Sequence, residues 1–356
     1  MKEHSWATKV NNFIFIPDSR IGWWPFAFFN ILKNFKRNDF DLIFSTSPMF
    51  TSHLIAMAIK LIFKKPWVVD LRDLWVLNPY LRPPTRMHLK ISTSIERKTF
   101  KLADRIITVG EELRQDLIGN YPEIPAEKFV VIPNGYDQAD FKKDEEKKDK
   151  KFSISYTGSL YLFSGRTPYY FMTALGELLQ KFPKLKKEIK VTFLGPLDSQ
   201  NRKIFQNTIQ EYDLKEVVSL KDPAPYRDAI NCIKHSDLLL LILGKESRDL
   251  KHNNYFRYDR TSITGKLFEY LASGIPILAL AGEGPVKKII AETNSGYVVD
   301  PENIEEIKKM ILFCYNLYKD GKLLTHQRKD LVRRFERKRL TGELARILDE
   351  LTTKER

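Results

Sequence analysis

Apolar residues in this chain come in two patterns: short continuous blocks, and longer stretches in which they recur at helical spacing. In the first half the blocks fall at residues 13–16, 41–46, 66–71, 104–109 and 130–133, each a strand prediction, with the block at 41–46 reading as buried. Helical spacing fills 51–63, 92–102 and 111–119 between them. Strand and helix alternate, so the first half is expected to be a doubly wound parallel sheet. The second half starts the pattern again. Strands are predicted at 152–157, 189–194, 217–220, 237–243, 277–281 and 296–299, and helices at 169–181, 265–272, 285–291 and in a segment ending at Lys234. The block at 237–243 is apolar throughout after its first Asp, as in a strand covered on both faces. Residues 328–351 read as one long basic amphipathic helix, and repeats of solenoid period are absent.

One stretch departs from this alternation. Residues 22–39 carry Trp23, Trp24, Phe26, Phe28, Phe29, Ile31, Leu32 and Phe35, then a basic end of Lys33, Lys36 and Arg37. Such a helix can lie in a membrane interface. Because apolar residues cover nearly all its sides, the favoured expectation is a helix packed into the domain core.

The charge run KKDEEKKDKK, residues 142–151, is too polar to bury and separates the two halves as a solvated linker. The expected organisation is therefore an N-terminal domain over 1–141, the linker, a second domain over 152–327, and a C-terminal helix, 328–356, packing back on the first domain. A chain of 356 residues with 43% apolar content can supply each domain with its own core. A net charge of +14 favours an acidic partner. The basic excess is spread along the chain, without an arginine-rich arm, zinc-ligand spacing or RNA-recognition motif, so nucleic acid ranks low. Cys232 and Cys314 lie far apart in helix-like segments, which fits a reduced, cytoplasmic protein without a disulfide frame or metal site. The longest apolar runs, 54–63 and 238–243, are too short to span a bilayer, and the first residues lack a signal-peptide pattern. The expectation is a soluble or peripheral protein.

Candidate chemistry concentrates in residues 261–285, TSITGKLFEYLASGIPILALAGEGP. Thr261, Ser262, Thr264 and Gly265 stand where N-caps belong, Gly274 stops the helix, and Pro276 prevents its resumption. A loop of Gly282, Glu283, Gly284 and Pro285 follows the next strand. Free N–H groups at a helix start, beside Lys266 and one turn before Glu269, suit a diphosphate joined to a ribose. On spacing alone, a βα crossover merely punctuated by Gly and Pro is equally plausible. Asp70, Arg72 and Asp73, after a predicted strand, are candidate ligand contacts of an α/β sheet, or else a structural Arg–Asp pair pinning a loop.

The wording of several segments resembles a known family. KLFEYLASGIPIL, residues 266–278, closely resembles the donor-site signature of glycosyltransferase family four, a retaining family with the GT-B fold. ADRIITVGEEL, residues 103–113, is similar to a family motif with Gly110 in place of a serine; VVIPNGYD, residues 130–137, resembles the end of the family's first domain. YTGSL at 156–160, HSDLLLLIL at 235–243 and GYVVDPENIEEI at 296–307 complete the family's order.

The resemblance implies an α/β fold of GT-B type, two Rossmann-like parallel-sheet domains facing a cleft. It implies a nucleotide-diphosphate sugar as co-substrate and a saccharide or lipid-linked acceptor in cell-surface polysaccharide or glycolipid synthesis. By it, Arg166, Lys266 and Glu269 are the catalytic group. Gly158, Ser159, Thr264, Gly265, Lys266, Leu267, Glu269, Glu283 and Gly284 bind the donor, and Asp70, Arg72, Asp73 and Asn134 lie on the acceptor side. No cofactor or metal is expected, since Lys266 and Arg166 can replace a cation. Contact with an anionic membrane at the cytoplasmic face is expected through residues 22–37 and 82–90.

Four departures qualify the match. Ser159 replaces the usual Arg. Thr261 stands where the first of two paired glutamates belongs, with Asp259, Arg260 or Glu283 as substitutes. Arg72 and Asp73 occupy the neighbourhood of a family histidine, and one or two βα units are missing from the first domain. A non-catalytic donor-binding subunit, or a nucleotide-sugar epimerase, are the alternatives.

Overall fold

The computed structural model describes residues 13–78, 83–141, 151–162, 165–244, 263–323 and 326–353. The chain divides into two units, one of Met1–Pro133 with Leu340–Arg356 and one of Asn134–Arg339. The charge run at 142–150 lies outside the described residues, as do Thr261, Ser262, Asp259 and Arg260.

In the first unit the elements are α1 (Trp24–Asn34), β1 (Ile43–Thr46), α2 (Thr51–Phe63), β2 (Trp67–Leu71), α3 (Arg86–Leu102), β3 (Arg105–Thr108), α4 (Glu111–Asn120) and β4 (Phe129–Val131). All strands are parallel, in the order β1-β2-β3-β4. Helix α2 buries Ile55, Ala56, Ile59 and Phe63 at helical spacing and ends at Lys64 in the left-handed region, φ 52°. Successive steps in one direction put right-handed crossovers on one face, so the described sheet is singly wound, not doubly wound as the pattern predicted. The other face is covered by α12 (Arg337–Thr353), whose Leu340, Leu344 and Ile347 pack with Val68, Ile107 and Ile132.

Three further expectations fail here. Residues 13–16 form no strand, and Phe13 and Ile14 are exposed. Strand β1 begins at Ile43 and forms an edge, leaving Phe44 42% exposed instead of buried. Helix α1 buries none of its residues fully. Its Trp24, Ala27, Phe28, Ile31 and Leu32 pack against Ile55, Ile59 and Phe63, but Phe26 and Phe29 are 75% and 64% exposed. A helix offers one stripe to one neighbour, so aromatics all round cannot all enter a core.

The second unit contains β5 (Phe152–Thr157), α5 (Tyr169–Lys181), β6 (Ile189–Leu194), α6 (Ser199–Tyr212), β7 (Val218–Lys221), α7 (Tyr226–Lys234), β8 (Leu238–Ile242), α8 (Gly265–Ser273), β9 (Ile277–Leu280), α9 (Pro285–Thr293), β10 (Gly296–Val299), α10 (Ile304–Lys319) and α11 (Lys329–Val332). Six parallel strands take the order β10-β9-β8-β5-β6-β7. Alternation divides the apolar residues between two cores. Ile154, Leu238 and Leu240 pack with α5 and α10, and Leu239 and Leu241 with α7, α8 and α9. Every residue of β8 is buried, as its apolar run predicted. Helix α6, unmarked in the pattern reading, starts where the Asp198 carboxylate accepts the Asn201 N–H at 2.7 Å.

The long C-terminal helix predicted from 328 is interrupted. A tight turn at Arg333–Phe335 and an extended Glu336 (φ −67°, ψ 127°) separate α11 from α12. Tyr136 causes the break: its N–H donates to the Phe335 carbonyl at 3.1 Å, and its carbonyl accepts from the Arg337 N–H at 2.9 Å. Paired backbone outweighs the helical periodicity.

Candidate functional site

Strand order reverses between β5 and β8, and ligands of open α/β sheets bind beyond the carboxyl ends of strands at such a point. There β5 ends in Gly158, with φ +109°, and Tyr270 of α8 ties the helix to it. The Tyr270 hydroxyl accepts the Thr157 N–H at 2.9 Å and donates to the Leu240 carbonyl at 3.3 Å. Fully buried Leu267, Phe268, Tyr270 and Leu271 fix the helix on the sheet. Among the described residues nothing lies within 4 Å of where a Cβ on Gly265 would stand, so they leave the amino end open.

Thr264 is the N-cap residue, yet its side chain makes no capping bond. Its buried hydroxyl has no partner among the described residues. The cap expected from sequence is therefore not made, and a buried donor-acceptor waits at the helix start.

Lys266 folds back over β5. Its Nζ stands 3.9 Å above the Tyr156 ring and donates to the Tyr156 hydroxyl at 2.5 Å; that hydroxyl donates to the Ser159 carbonyl at 2.8 Å. The positive φ at 158 favours glycine, and Lys266 Nζ lies close over it, 2.8 Å from where a Cβ would stand. Gly195, φ +136°, supports the same turn; its Cβ would lie 2.5 Å from the Gly158 carbonyl oxygen. Burial, and then the Arg166 guanidinium, hold the Lys266 ammonium well below the ordinary lysine range, with Glu269 opposing. The Arg166 carbonyl is anchored to α6 by Asn201 Nδ2 at 2.9 Å.

Glu269 follows one turn along α8 and is half-buried, so it is not sealed in the core. Burial raises its carboxyl above the usual range, against the pull of Arg337 and Lys266. The Tyr226 hydroxyl donates to Asp140 Oδ2 at 3.0 Å. An open helix start with two cations suits an anionic diphosphate, and a half-buried carboxylate a turn away suits hydroxyl donors.

Of the residues singled out in sequence, the fold gathers Gly158, Ser159, Arg166, Thr264, Gly265, Lys266 and Glu269 about this end of the sheet. Leu267 differs: its side chain is core and its N–H donates to the Thr264 carbonyl at 3.1 Å. Glu283 is exposed and paired with Lys287 at 2.5 Å, while Gly284 caps α9.

Asp70 and Arg72 belong to the first unit. Arg72 Nε lies 2.9 Å from the Asp70 carboxylate, its Nη1 donates to the Ile132 carbonyl at 3.2 Å, and Thr46 Oγ1 donates to Asp70 at 2.9 Å. This is the geometry of a pinned loop. Asp73 is half-buried, and Asn134 falls in the second unit.

Sequence reasoning missed Tyr156, Tyr270, Tyr226, Asp140 and Arg337. Only Tyr156 and Tyr270 had a signal, an aromatic inside a recognised segment. A cavity of about 490 Å³ lies elsewhere, on the β5–β7 face beside α7, lined by Lys190, Thr192, Lys221 and Cys232 among others and by none of the site residues.

Comparison with known proteins gives two family matches, Glycosyltransferase Family 4 over residues 2–140 and Glycosyl transferases group 1 over residues 143–329. No curated protein matches the chain. Among solved structures it is similar to HepE of Anabaena in complex with UDP, at 15% identity over 92% of this chain and 82% of that one, TM-score 0.68. Sucrose-phosphate synthase from Thermosynechococcus elongatus is similar at 13% identity, 95% and 81% coverage and TM-score 0.65. A glycosyltransferase from Rickettsia africae is similar at 16% identity, 94% and 82% coverage and TM-score 0.63.

Proposed function

Since the chain belongs to glycosyltransferase family 4, with a group 1 glycosyl transferase domain in its second half, we propose that it transfers a sugar from a nucleoside-diphosphate sugar to a hydroxyl acceptor with retention of configuration, in cell-surface polysaccharide or glycolipid synthesis. The observation that carries this reading is Lys266, held over Gly158 at the open start of α8, with Glu269 one turn further on. The solved HepE structures contain UDP and UDP-glucose, which supports a nucleotide sugar as donor.

In this reading the amides of α8 and the Thr264 hydroxyl receive the diphosphate. Lys266 and Arg166 stabilise its charge as the glycosidic bond breaks, and Glu269 accepts from the ribose hydroxyls. The acceptor attacks from the face the leaving phosphate vacates, and that phosphate takes its proton. Lys266 and Arg166 do the work of a metal, so EDTA leaves turnover unchanged. The exposed Trp23, Phe26 and Phe29 of the first unit, beside Lys33, Lys36 and Arg37, support contact with an anionic membrane that presents a lipid-linked acceptor.

The test is a panel of nucleotide sugars screened by thermal shift, followed by product analysis of the one that stabilises the protein. Sugar appearing on an added acceptor, with release of the nucleoside diphosphate, is expected. An altered nucleotide sugar formed without acceptor identifies an epimerase instead.

A further inference from the structure

Strands β5, β6 and β7 each have one apolar and one polar face. Phe152, Ile154, Val191, Phe193 and Val218 enter the core shared with α5 and α10, and the alternate positions Ser153, Ser155, Lys190, Thr192 and Lys221 line the cavity on the opposite side. Helix α7 turns Ile230 and Ile233 into the core with Leu239 and Leu241. To the cavity it presents Asp228, Asn231, Cys232 and the following His235, at i, i+3, i+4 and i+7. A helix laid on a sheet ordinarily brings an apolar stripe to an apolar face. Here polar faces polar, and a space of about 490 Å³ stays open between them. That volume falls within the roughly 300–1,000 Å³ of small-ligand sites. Its floor is buried, with Ser155 and Thr192 only 5% and 6% exposed, while Lys190 and Lys221 are exposed at its rim. Among the described lining residues Asp228 is the single carboxylate set against those two ammonium groups. Burial pushes the Cys232 thiol up and both ammonium groups pull it back, so charge from β6 and from β7 bears on the same space.

We propose that this cavity is a second binding site, separate from the one at the start of α8, for a small phosphorylated and hydroxyl-bearing molecule of the sugar-phosphate class. Lys190 and Lys221 supply the positive field for the phosphate, and their excess over Asp228 selects an anion. The floor suits hydroxyl groups. Thr192 Oγ1 accepts from Ser219 Oγ at 3.4 Å, which leaves its own proton to donate into the cavity. Asn231 on the facing helix offers both an amide donor and a carbonyl acceptor. The site does not depend on the donor reading, because no residue of that reading lines it.

Calorimetric titration of glucose 6-phosphate, glucose 1-phosphate, inorganic phosphate and glucose tests the site. The titrations use the native chain, the double variant Lys190→Ala with Lys221→Ala, and the single variants Asp228→Asn and Lys266→Met. At least one sugar phosphate is expected to bind the native chain, more tightly than phosphate or glucose. The double variant should weaken it by about 10-fold or more, the usual loss for hydrogen bonds to charged groups. Both lysines are exposed, so the unfolding temperature of that variant should stay native. Asp228→Asn should tighten binding by removing the opposing charge, and Lys266→Met should leave it unchanged. Failure of both sugar phosphates to bind overturns the proposal and leaves water as the content of the cavity. Native affinity in the double variant overturns it as well. So does an equal loss in Lys266→Met, which would move the ligand to the start of α8. Inorganic phosphate bound as tightly as either sugar phosphate would overturn the role given to the hydroxyl floor.

Discussion

Lys266 and Glu269 sit one turn apart on the same helix, yet burial acts on them in opposite senses. It strips charge from the lysine and keeps the carboxyl protonated to higher pH. An arriving diphosphate reverses the first effect, because a dianion favours the ammonium. Nucleoside-diphosphate binding is therefore expected to take up a proton at Lys266 and to weaken as pH rises through the depressed lysine pKa. Titration in two buffers of different ionisation enthalpy reads that proton, and equal apparent enthalpies would refute it. Glu269→Ala is expected to weaken nucleoside-diphosphate binding by about 1–3 kcal/mol, since it leaves ribose hydroxyls without acceptors. Unchanged affinity by calorimetry would remove Glu269 from the site. The pairing of Glu269 with Lys266 was legible from their spacing. Its surroundings were not: Tyr156 reaches Lys266 from a residue 110 positions earlier.

Among the elements, α3 carries a charge pattern that burial overrules. Glu96 is fully buried, facing Tyr121, whose hydroxyl donates to it, and the Val76 N–H at 3.3 Å. Arg97 on the next position pairs with Glu123 at 2.9 Å and lies over the Tyr121 ring. Desolvation lifts the Glu96 carboxyl from 4.5 to about 7. Its folded pKa is raised, so the stability it contributes is fully present below the unfolded value of 4.5 and is lost as pH rises through about 7. The loss amounts to at most about 3 kcal/mol. Urea unfolding of the native chain should show this decline between those pH values, and Glu96→Gln should flatten it. Boundaries of several elements were legible outright: β5, α5, β6 and β10 occupy the residues their patterns predicted. Others were not. Helix α6 is marked by its Asp198 cap more than by its apolar spacing, and the break at Glu336 depends on Tyr136, a partner 200 residues away.

At the scale of the molecule, exposed apolar surface is distributed unevenly. Trp23, Phe26, Phe29, Phe35, Phe44, Leu61 and Ile62 are all exposed in the first unit, near Lys33, Lys36 and Arg37. Exposed large apolar side chains in such number, with basic residues on the same stretch of chain, point to an interaction surface. No described helix is long and apolar enough to cross a membrane. The chain is expected to float with vesicles containing anionic phospholipid at low salt, and less with neutral ones. Phe26→Asp with Phe29→Asp should abolish co-migration without altering nucleotide binding. Equal flotation of that double variant would exclude this face.

The sequence by itself determined the α/β class, the second unit's sheet and the segment that bears the donor-site signature. Those properties follow from local periodicity and from residues close together in the chain. Tertiary structure alone decided that the first sheet winds in one direction, that α1 leaves aromatics in solvent, and that Leu267 is core. It also decided that Tyr226, Asp140 and Arg337 gather around Glu269. Such outcomes depend on which surfaces meet after long loops close, and apolar periodicity states that a face will be covered without stating by what.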